Sequence, residues 1–407
     1  MKKVIVVGGG ASGIISAIFA QISGNDVTII ERNDTLGKKL LVTGNGKCNY
    51  FNQDMNLKHY HGTYTNGLDN IINQENINNI LNFFDDIGIE PKIKNGYFYP
   101  SSNQAISIQN ALIRKCNELN INIQLNTCVE YINYLDNEFV LNTDKGIFKC
   151  DKVIVSTGSK AMPKTGSDGM GYNFLKKFGH DIIKPLPALV QLIGKGNYFK
   201  EWDGIRTDCY VSLYSDNVKF NEEYGEIQLT DYGVSGICIF QLSGLASRFL
   251  DDGKNVYITI NFLPFIKTNI QDYLESRNKK LSNPSISDLL DTILNYKLVN
   301  TILKLCNIDR LTKWNELDDK LKKQLCENLI NFKLDIIGTN GFDRCQVCSG
   351  GVSLEEINTC TMESKIQKSL YVTGEIIDIF GDCGGYNLAF AWISGMIAGI
   401  NVGNNND

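Results

Sequence analysis

The spacing of apolar and polar positions changes period several times along the chain. Val4–Val7 is an unbroken apolar run, the pattern of a strand buried on both faces. Glycines follow at once in GGGASG, and Ile14–Ile22 then reads as a helix, with Ala17 and Ala20 small enough for close packing. Gly24-Asn25 ends it, and Val27–Ile30 is a second strand closed by Glu31. Asp151–Ser159 carries another apolar strand, ending in Thr157-Gly158. Ahead of it, TCVEYIN and FVLNTDKGIFKC read as short strands around a turn at Asp144–Gly146. From Ala188 to Pro264 the pattern is strand-like (CYVSLYS, EIQLTDYG, NVYITINFLP), and from Lys267 to Phe332 it is helical. There Ile286, Leu289, Leu290, Ile293 and Leu294 hold helical spacing, with Ser285 as a candidate N-cap. KLDIIGTNGFDRCQVCSGGV returns to strands. Leu370–Thr373 is one more strand, Tyr386–Ile400 an apolar helix rich in small residues, and the tail NVGNNND reads as frayed.

A chain of 407 residues predicts two or three domains. Hydrophobic residues make up 43% and charged residues 21%, an ordinary globular balance. The net charge of −5 favours neither nucleic acid nor an anionic membrane surface. No apolar run is long enough to cross a bilayer, and the N-terminus does not read as an export signal. The expectation is therefore a cytoplasmic protein without membrane or nucleic-acid partners. Its twelve scattered cysteines are expected as reduced, mostly small core residues.

The glycines after the first strand form Gly8-x-Gly10-x-x-Gly13. This spacing has its full context: a strand before, a helix after, and an acidic residue, Glu31, about 20 positions on. Gly8 makes the tight turn, Gly10 lets backbone approach a pyrophosphate, and Gly13 lets helix meet strand. The helix N-terminus offers amide donors and a favourable dipole. Glu31 can accept both ribose hydroxyls of an adenosine, and a carboxylate there argues against a 2′-phosphate. After Glu31 the regular strand–helix alternation stops, which favours a large wrapped FAD over NAD.

Two further segments suit a flavin. Near the C-terminus, Gly374-Glu375, Asp378, Gly384 and Gly385 lead into the helix from Tyr386. Asp378 can bond ribityl hydroxyls, and the helix N-terminus can face the pyrimidine edge, where negative charge grows on reduction. The other segment is LLVTGNGKCNYFN, Leu40–Asn52. A phosphate loop would need glycine at Leu41 and a hydroxyl at Cys48. A reactive-thiol site lacks a partner cysteine nearby. What remains is a backbone-rich loop in which Gly44 and Gly46 allow close approach to a planar ring. Asn45 and Asn49 can offer amide bonds to the ring's polar edge.

These stretches, together with GYFYPSSNQA, VIVSTGSKAMPKTGSDGMGY, GEIQLTDYGVSGICIFQLS, CSGGVSLEEI, TMESK and VTGEIIDIFGDCGGYNLAFAWISG, resemble the BaiN-like and aminoacetone-oxidase-type FAD-dependent oxidoreductases. That is a branch of the two-dinucleotide-binding-fold flavoproteins, and the matches run in family order from residue 4 to about 400. Two positions depart from the family pattern: Lys47 stands where arginine is usual, and Met170, with Asp168 nearby, where an acid is usual. The resemblance implies an α/β fold with a Rossmann-like FAD-binding domain on a parallel sheet, residues 1–187 and 353–407. It also implies an inserted β-rich, barrel-like domain, 188–265 and 334–352, itself interrupted by a helical domain, 266–333. The cofactor-binding set expected on this basis is Gly8, Gly10, Ala11, Ser12, Gly13, Glu31, Arg32, Lys39, Gly44, Asn45, Gly46, Cys48, Asn49, Val129, Thr157, Gly158, Gly374, Glu375, Asp378, Gly384, Gly385, Tyr386 and Asn387.

Other motifs carry less. Cys345-x-x-Cys348 precedes Gly350-Gly351-Val352 in what reads as a strand, where residues three apart face opposite ways, and no second pair exists for zinc. His59 and His61 read as a surface loop without a metal pattern, and His180 as a helix end; no Ser-His-Asp constellation is expected. No second GxGxxG follows a strand, so NAD(P)H, as a transient donor, must visit the flavin elsewhere. Two enzymatic functions stay open. One is an NAD(P)H-linked reductase passing hydride through flavin N5 to an activated C=C, such as the enone of a steroid or bile-acid-like molecule or another cyclic substrate. The other is an oxidase of an amine or aminoketone using dioxygen. A non-enzymatic flavin-binding protein is the remote third. Tyr386, Cys48 and Tyr99 are the candidate proton donors.

Overall fold

A computed structural model describes residues 1–403; the last four residues of the expected frayed tail lie outside the described residues. The chain divides into two compact units, one formed by Met1–Leu186 and the chain from Gln346 on, the other by Pro187–Cys345.

The first unit is built on a five-stranded parallel sheet in the order Leu370–Val372, Lys152–Val155, Lys3–Val7, Asp26–Ile30, Asn122–Gln124. The central strand explains the unbroken apolar run: Val4 pairs with Lys152 on one side and Val27 on the other, and Val4–Val7 are buried. Two helices, Ala11–Ile22 and Tyr386–Val402, pack together. They approach closely because Gly395 has no side chain: a Cβ there would lie 2.5 Å from the Ser12 carbonyl oxygen. The strands Val129–Leu135, Glu138–Thr143 and Gly146–Cys150 form the expected antiparallel meander.

The second unit holds a closed six-stranded barrel in the order Leu192–Gly194, Gly233–Gly236, Val218–Thr230, Arg206–Ser215, Val256–Asn261, Phe332–Thr339, with every pairing antiparallel. Inward positions alternate as a barrel requires: Val256, Ile258 and Ile260 are buried while Tyr257, Thr259 and Asn261 are half-buried. Four helices, Ile270–Lys280, Ile286–Leu290, Tyr296–Leu305 and Asp319–Ile330, are inserted before the last strand. Ser285 caps the second of these by accepting from the Asp288 N–H. The apolar run read as helical is helical only as far as Leu290: Ile293 and Leu294 lie in the turn that follows, and Asn295, whose side chain accepts from the Lys297 N–H, starts a separate helix at Tyr296. Among the described residues, no helix is long and apolar enough to cross a membrane.

Candidate FAD site

The glycine loop joins the first strand to the first helix, which begins at Ala11. Gly8 turns at φ 100°, and its N–H donates to the Ile30 carbonyl at 2.9 Å. A Cβ on Gly13 would sit 1.9 Å from the Gly8 oxygen, so helix and strand meet there. Gly10 differs: a Cβ would meet nothing within 4 Å. Gly10 is also the N-cap, and no side chain caps the helix. The amides of Ala11, Ser12 and Gly13 therefore stand at a positive helix end beside open space, a cradle suited to an anion. Glu31 is buried, and its Oε2 accepts from the Gly9 N–H at 2.7 Å. Its Oε1 accepts from the Asn33 backbone and side-chain amides at 2.8 and 2.7 Å. Thr157 Oγ1 is buried without a hydrogen-bond partner beside Gly158, which turns at φ 72°.

Arg32 pairs with Asp168 at 2.5 Å and donates to the Gly166 carbonyl at 3.3 Å. Burial works against the Asp168 charge, but the Met170 N–H and Arg32 outweigh it and hold its carboxyl below the usual range. Asp168 thus supplies a charge near the position where Met170 replaces the usual acid, and the Met170 sulfur lies 3.3 Å from the same guanidinium. Val129 opens the meander alongside, where the Thr127 N–H donates to the Glu31 carbonyl at 2.9 Å.

The chain's two ends converge on this loop. Ser12 Oγ reaches the Thr373 carbonyl at 3.4 Å, and a Cβ on Gly374 would lie 2.3 Å from that hydroxyl. Glu375 accepts from Lys39 at 2.7 Å, from Ser159 Oγ at 2.7 Å and from the Cys348 N–H at 3.3 Å. Asp378, expected to face ribityl hydroxyls, is buried with both oxygens engaged, accepting from the Gly350 N–H at 2.7 Å and the Thr63 N–H at 2.8 Å. Its visible work is to hold the strand Val347–Val352 and the loop at Thr63 against the C-terminal segment. Asn387 closes the turn before the last helix reciprocally, donating to the Gly381 carbonyl at 2.8 Å and accepting from its N–H at 2.7 Å. The Asn49 amide donates to the Phe51 and Phe98 carbonyls and accepts from the Gly385 N–H, so it ties the opening loop to that turn and spends its polar atoms on backbone.

The three candidate donors are placed very differently. In the opening loop Gly44, Asn45 and Gly46 are consecutively left-handed and exposed, whereas Cys48 is wholly buried. Burial pushes the Cys48 thiol up to about 12, and a hydrogen bond with Thr43 offsets only part of that. Such a thiol is neither nucleophile nor ready acid. Tyr99 is half-buried on the hairpin strand Tyr97–Pro100, opposite Lys92, and burial raises its phenol. Tyr386 opens the C-terminal helix; burial, then the charges of Asp54 and Asp382, raise its phenol too.

Two constellations escaped the sequence reading. His59 is not in an open surface loop: its ring stacks on Tyr386 at 4.6 Å and 19°, and its nitrogens face Asp382 and Asp54. His180 does close a helix end, but it is also the centre of a Ser–His–acid arrangement. Its Nδ1 lies 2.9 Å from Glu356 and its Nε2 2.8 Å from Ser364 Oγ. Ser364 also accepts from the Ile366 and Gln367 amides, and both it and His180 are buried, so this is a structural clamp. Only Cys348 of the Cys pair lies on a strand, Val347–Val352; Cys345 precedes it.

The HI0933-like protein Rossmann domain model matches residues 2–401. The chain belongs to that family. Its members are FAD-dependent oxidoreductases, and so is this protein. The chain is 36% identical over 402 residues to the 3-dehydro-bile acid delta(4,6)-reductase of Clostridium scindens, covering 98% of each. It is 26% identical over 408 residues to the ribosomal RNA dihydrouridine synthase of Haemophilus influenzae, covering 98% of each. To the Escherichia coli protein of that name it is 25% identical over 395 residues, covering 96% of this chain and 95% of the other. HI0933-like membership matches the Rossmann-like sheet and the glycine loop, the two features most legible in the sequence.

Proposed function

We propose that this protein is an NAD(P)H-linked reductase of a carbon–carbon double bond conjugated to a carbonyl, in a steroid-like, bile-acid-like or other cyclic small molecule. The observation that carries the cofactor half is the open space at Gly10, before an uncapped helix and beside Glu31. It fits the pyrophosphate and adenosine of FAD. The amides of Ala11, Ser12 and Gly13 would hold the phosphates, with Glu31, Arg32 and Val129 on the adenosine side. Lys39, the Gly44–Asn49 loop, Thr157, Gly158, Gly374, Glu375 and the Gly384–Asn387 turn would surround the rest. Bound FAD supplies hydride transfer.

The substrate half is supported by the named relatives. A delta(4,6)-reductase and a dihydrouridine synthase both remove a double bond in conjugation with a ring carbonyl. Their common need from the protein is a proton for the carbon next to that carbonyl. Of the three candidates, Cys48 is wholly buried with its thiol pushed up by burial, while Tyr386, itself buried at 4% exposed, stands at a turn shared with Asn49 and Gly385. A small molecule is favoured over RNA by the higher identity to the bile-acid reductase and by the net charge of −5. The test is anaerobic. Flavin absorbance should bleach with NADH or NADPH and recover on adding a 3-oxo-Δ4 steroid. Bleaching by an aminoketone with recovery only in air would replace this reading by the oxidase, and absence of any flavin spectrum after adding FAD would end both.

A further inference from the structure

Two stretches of chain distant in sequence, residues 54–61 and 382–386, meet around Tyr386. Asp382 carries one imidazole on each oxygen: His59 Nδ1 at 2.9 Å on Oδ2 and His61 Nε2 at 2.7 Å on Oδ1. The other nitrogen of His59, Nε2, lies 3.0 Å from Asp54 Oδ2. A ring with a carboxylate at each nitrogen is held in one orientation. The His59 hydrogen bond, its first cause, holds Asp54 below the usual carboxylate range, which agrees with an ionised acceptor. The His59 ring lies flat on the Tyr386 ring, centroids 4.6 Å apart, while Tyr60 meets the ring edge-on and donates to the Tyr386 carbonyl at 3.3 Å. Tyr97 approaches from the Gly384 side, where a Cβ would lie 3.0 Å from its ring and 3.1 Å from that of Tyr386.

Resting on the reductase reading above, we propose that His59 is a positioning residue for proton transfer by Tyr386. Clamped between Asp54 and Asp382, it fixes the phenol ring by stacking. In that step the Tyr386 O–H bond breaks. A C–H bond forms from the electron pair on the carbon next to the carbonyl, after hydride has reached the far carbon from reduced FAD. The phenolate retains the O–H pair and takes its next proton from solvent, to which the half-exposed His61 edge of the cluster opens. Burial, Asp54, Asp382 and Tyr97 all oppose ionisation of this phenol, so it keeps its proton until the substrate carbon takes it.

The deciding measurement is stopped flow on the flavin-loaded protein. His59→Ala removes the stacked ring, His59→Phe puts a flat ring back without its nitrogens, and Asp382→Asn weakens one of the two clamps. His59→Ala should leave bleaching by NAD(P)H within about twofold and slow recovery by the steroid enone about tenfold or more, with His59→Ala/Tyr386→Phe no slower than Tyr386→Phe alone. Asp382→Asn should slow the same half-reaction less, and His59→Phe should regain part of the loss. Equal slowing of both half-reactions overturns the proposal, as does a recovery step unchanged in His59→Ala. If wild-type flavin never recovers with any enone, the reductase reading fails instead.

Discussion

Glu31, the last residue of the second strand's run, accepts the Gly9 N–H at 2.7 Å and so braces the loop that follows the first strand. The acid expected to meet a ribose is therefore also part of the fold. Glu31→Ala would leave the Gly9 and Asn33 donors without this acceptor, a loss of about 1.5–3 kcal/mol for a bond to a charged group. Urea unfolding of the FAD-free protein should show that loss, and FAD affinity should fall as well. Glu31→Gln, which keeps one acceptor oxygen, should be milder in both measurements.

Gly10 and Gly13 should respond in opposite ways to the same change. A methyl group on Gly13 would clash with the Gly8 oxygen, so Gly13→Ala should fold poorly or not at all. A methyl on Gly10 enters open space, and the backbone there, φ −81° and ψ −167°, suits any residue. Gly10→Ala should cost about 1 kcal/mol or less, the usual loss at an N-cap. It should nevertheless weaken FAD binding at least tenfold, because the methyl occupies the space a pyrophosphate needs. A fluorescence titration with FAD, read beside the melting temperature of the apoprotein, separates the two effects. Unchanged FAD affinity in Gly10→Ala would sink the assignment of the cradle.

The strand–glycine–helix unit was legible because everything that defines it is local: an apolar run, a fixed glycine spacing and an acid within one supersecondary unit. The barrel strands were legible for the same reason. What stayed hidden depends on partners far apart in sequence. Arg32 and Asp168 lie 136 positions apart, His59 and Asp382 323 apart, and His180 and Ser364 184 apart. No periodicity encodes such pairs. Spacing also overran one helix end: Ile293 and Leu294 keep the helical period but lie in the turn between the helix ending at Leu290 and the one that Asn295 caps. Asp378 shows another limit, since composition marks an acid in a glycine loop but not which backbone amides it will take.

Buried thiols should make the protein sensitive to alkali. Burial pushes Cys48, Cys116 and Cys150 up to about 12, from an ordinary value of 9.0. Each favours the folded state fully below pH 9, where folded and unfolded thiols are both protonated. Above that the unfolded thiol loses its proton first, so stability falls as pH rises from 9 toward 12, by at most about 1.4 kcal/mol per thiol per pH unit. Thermal melts across that range should show the decline, and Cys48→Ala should flatten it. The same variant should retain flavin and turnover, which a catalytic thiol would not allow. Native labelling with a maleimide at neutral pH should reach exposed Cys360 and spare Cys48.

The clamp at His180 predicts a stability effect without a catalytic one. His180 is buried, bridges Glu356 and Ser364, and Ser364 in turn accepts the Ile366 and Gln367 amides just after TMESK. His180→Ala opens a cavity and strands two polar partners, so it should cost about 3 kcal/mol or more in urea unfolding. Ser364→Ala removes one hydroxyl and should cost about 1–2 kcal/mol. The double variant should fall short of the sum, because the two residues share one network. Flavin content and the rate of flavin recovery per folded molecule should stay within about twofold of wild type in Ser364→Ala. A tenfold loss of rate at full flavin occupancy would instead make the triad part of the chemistry.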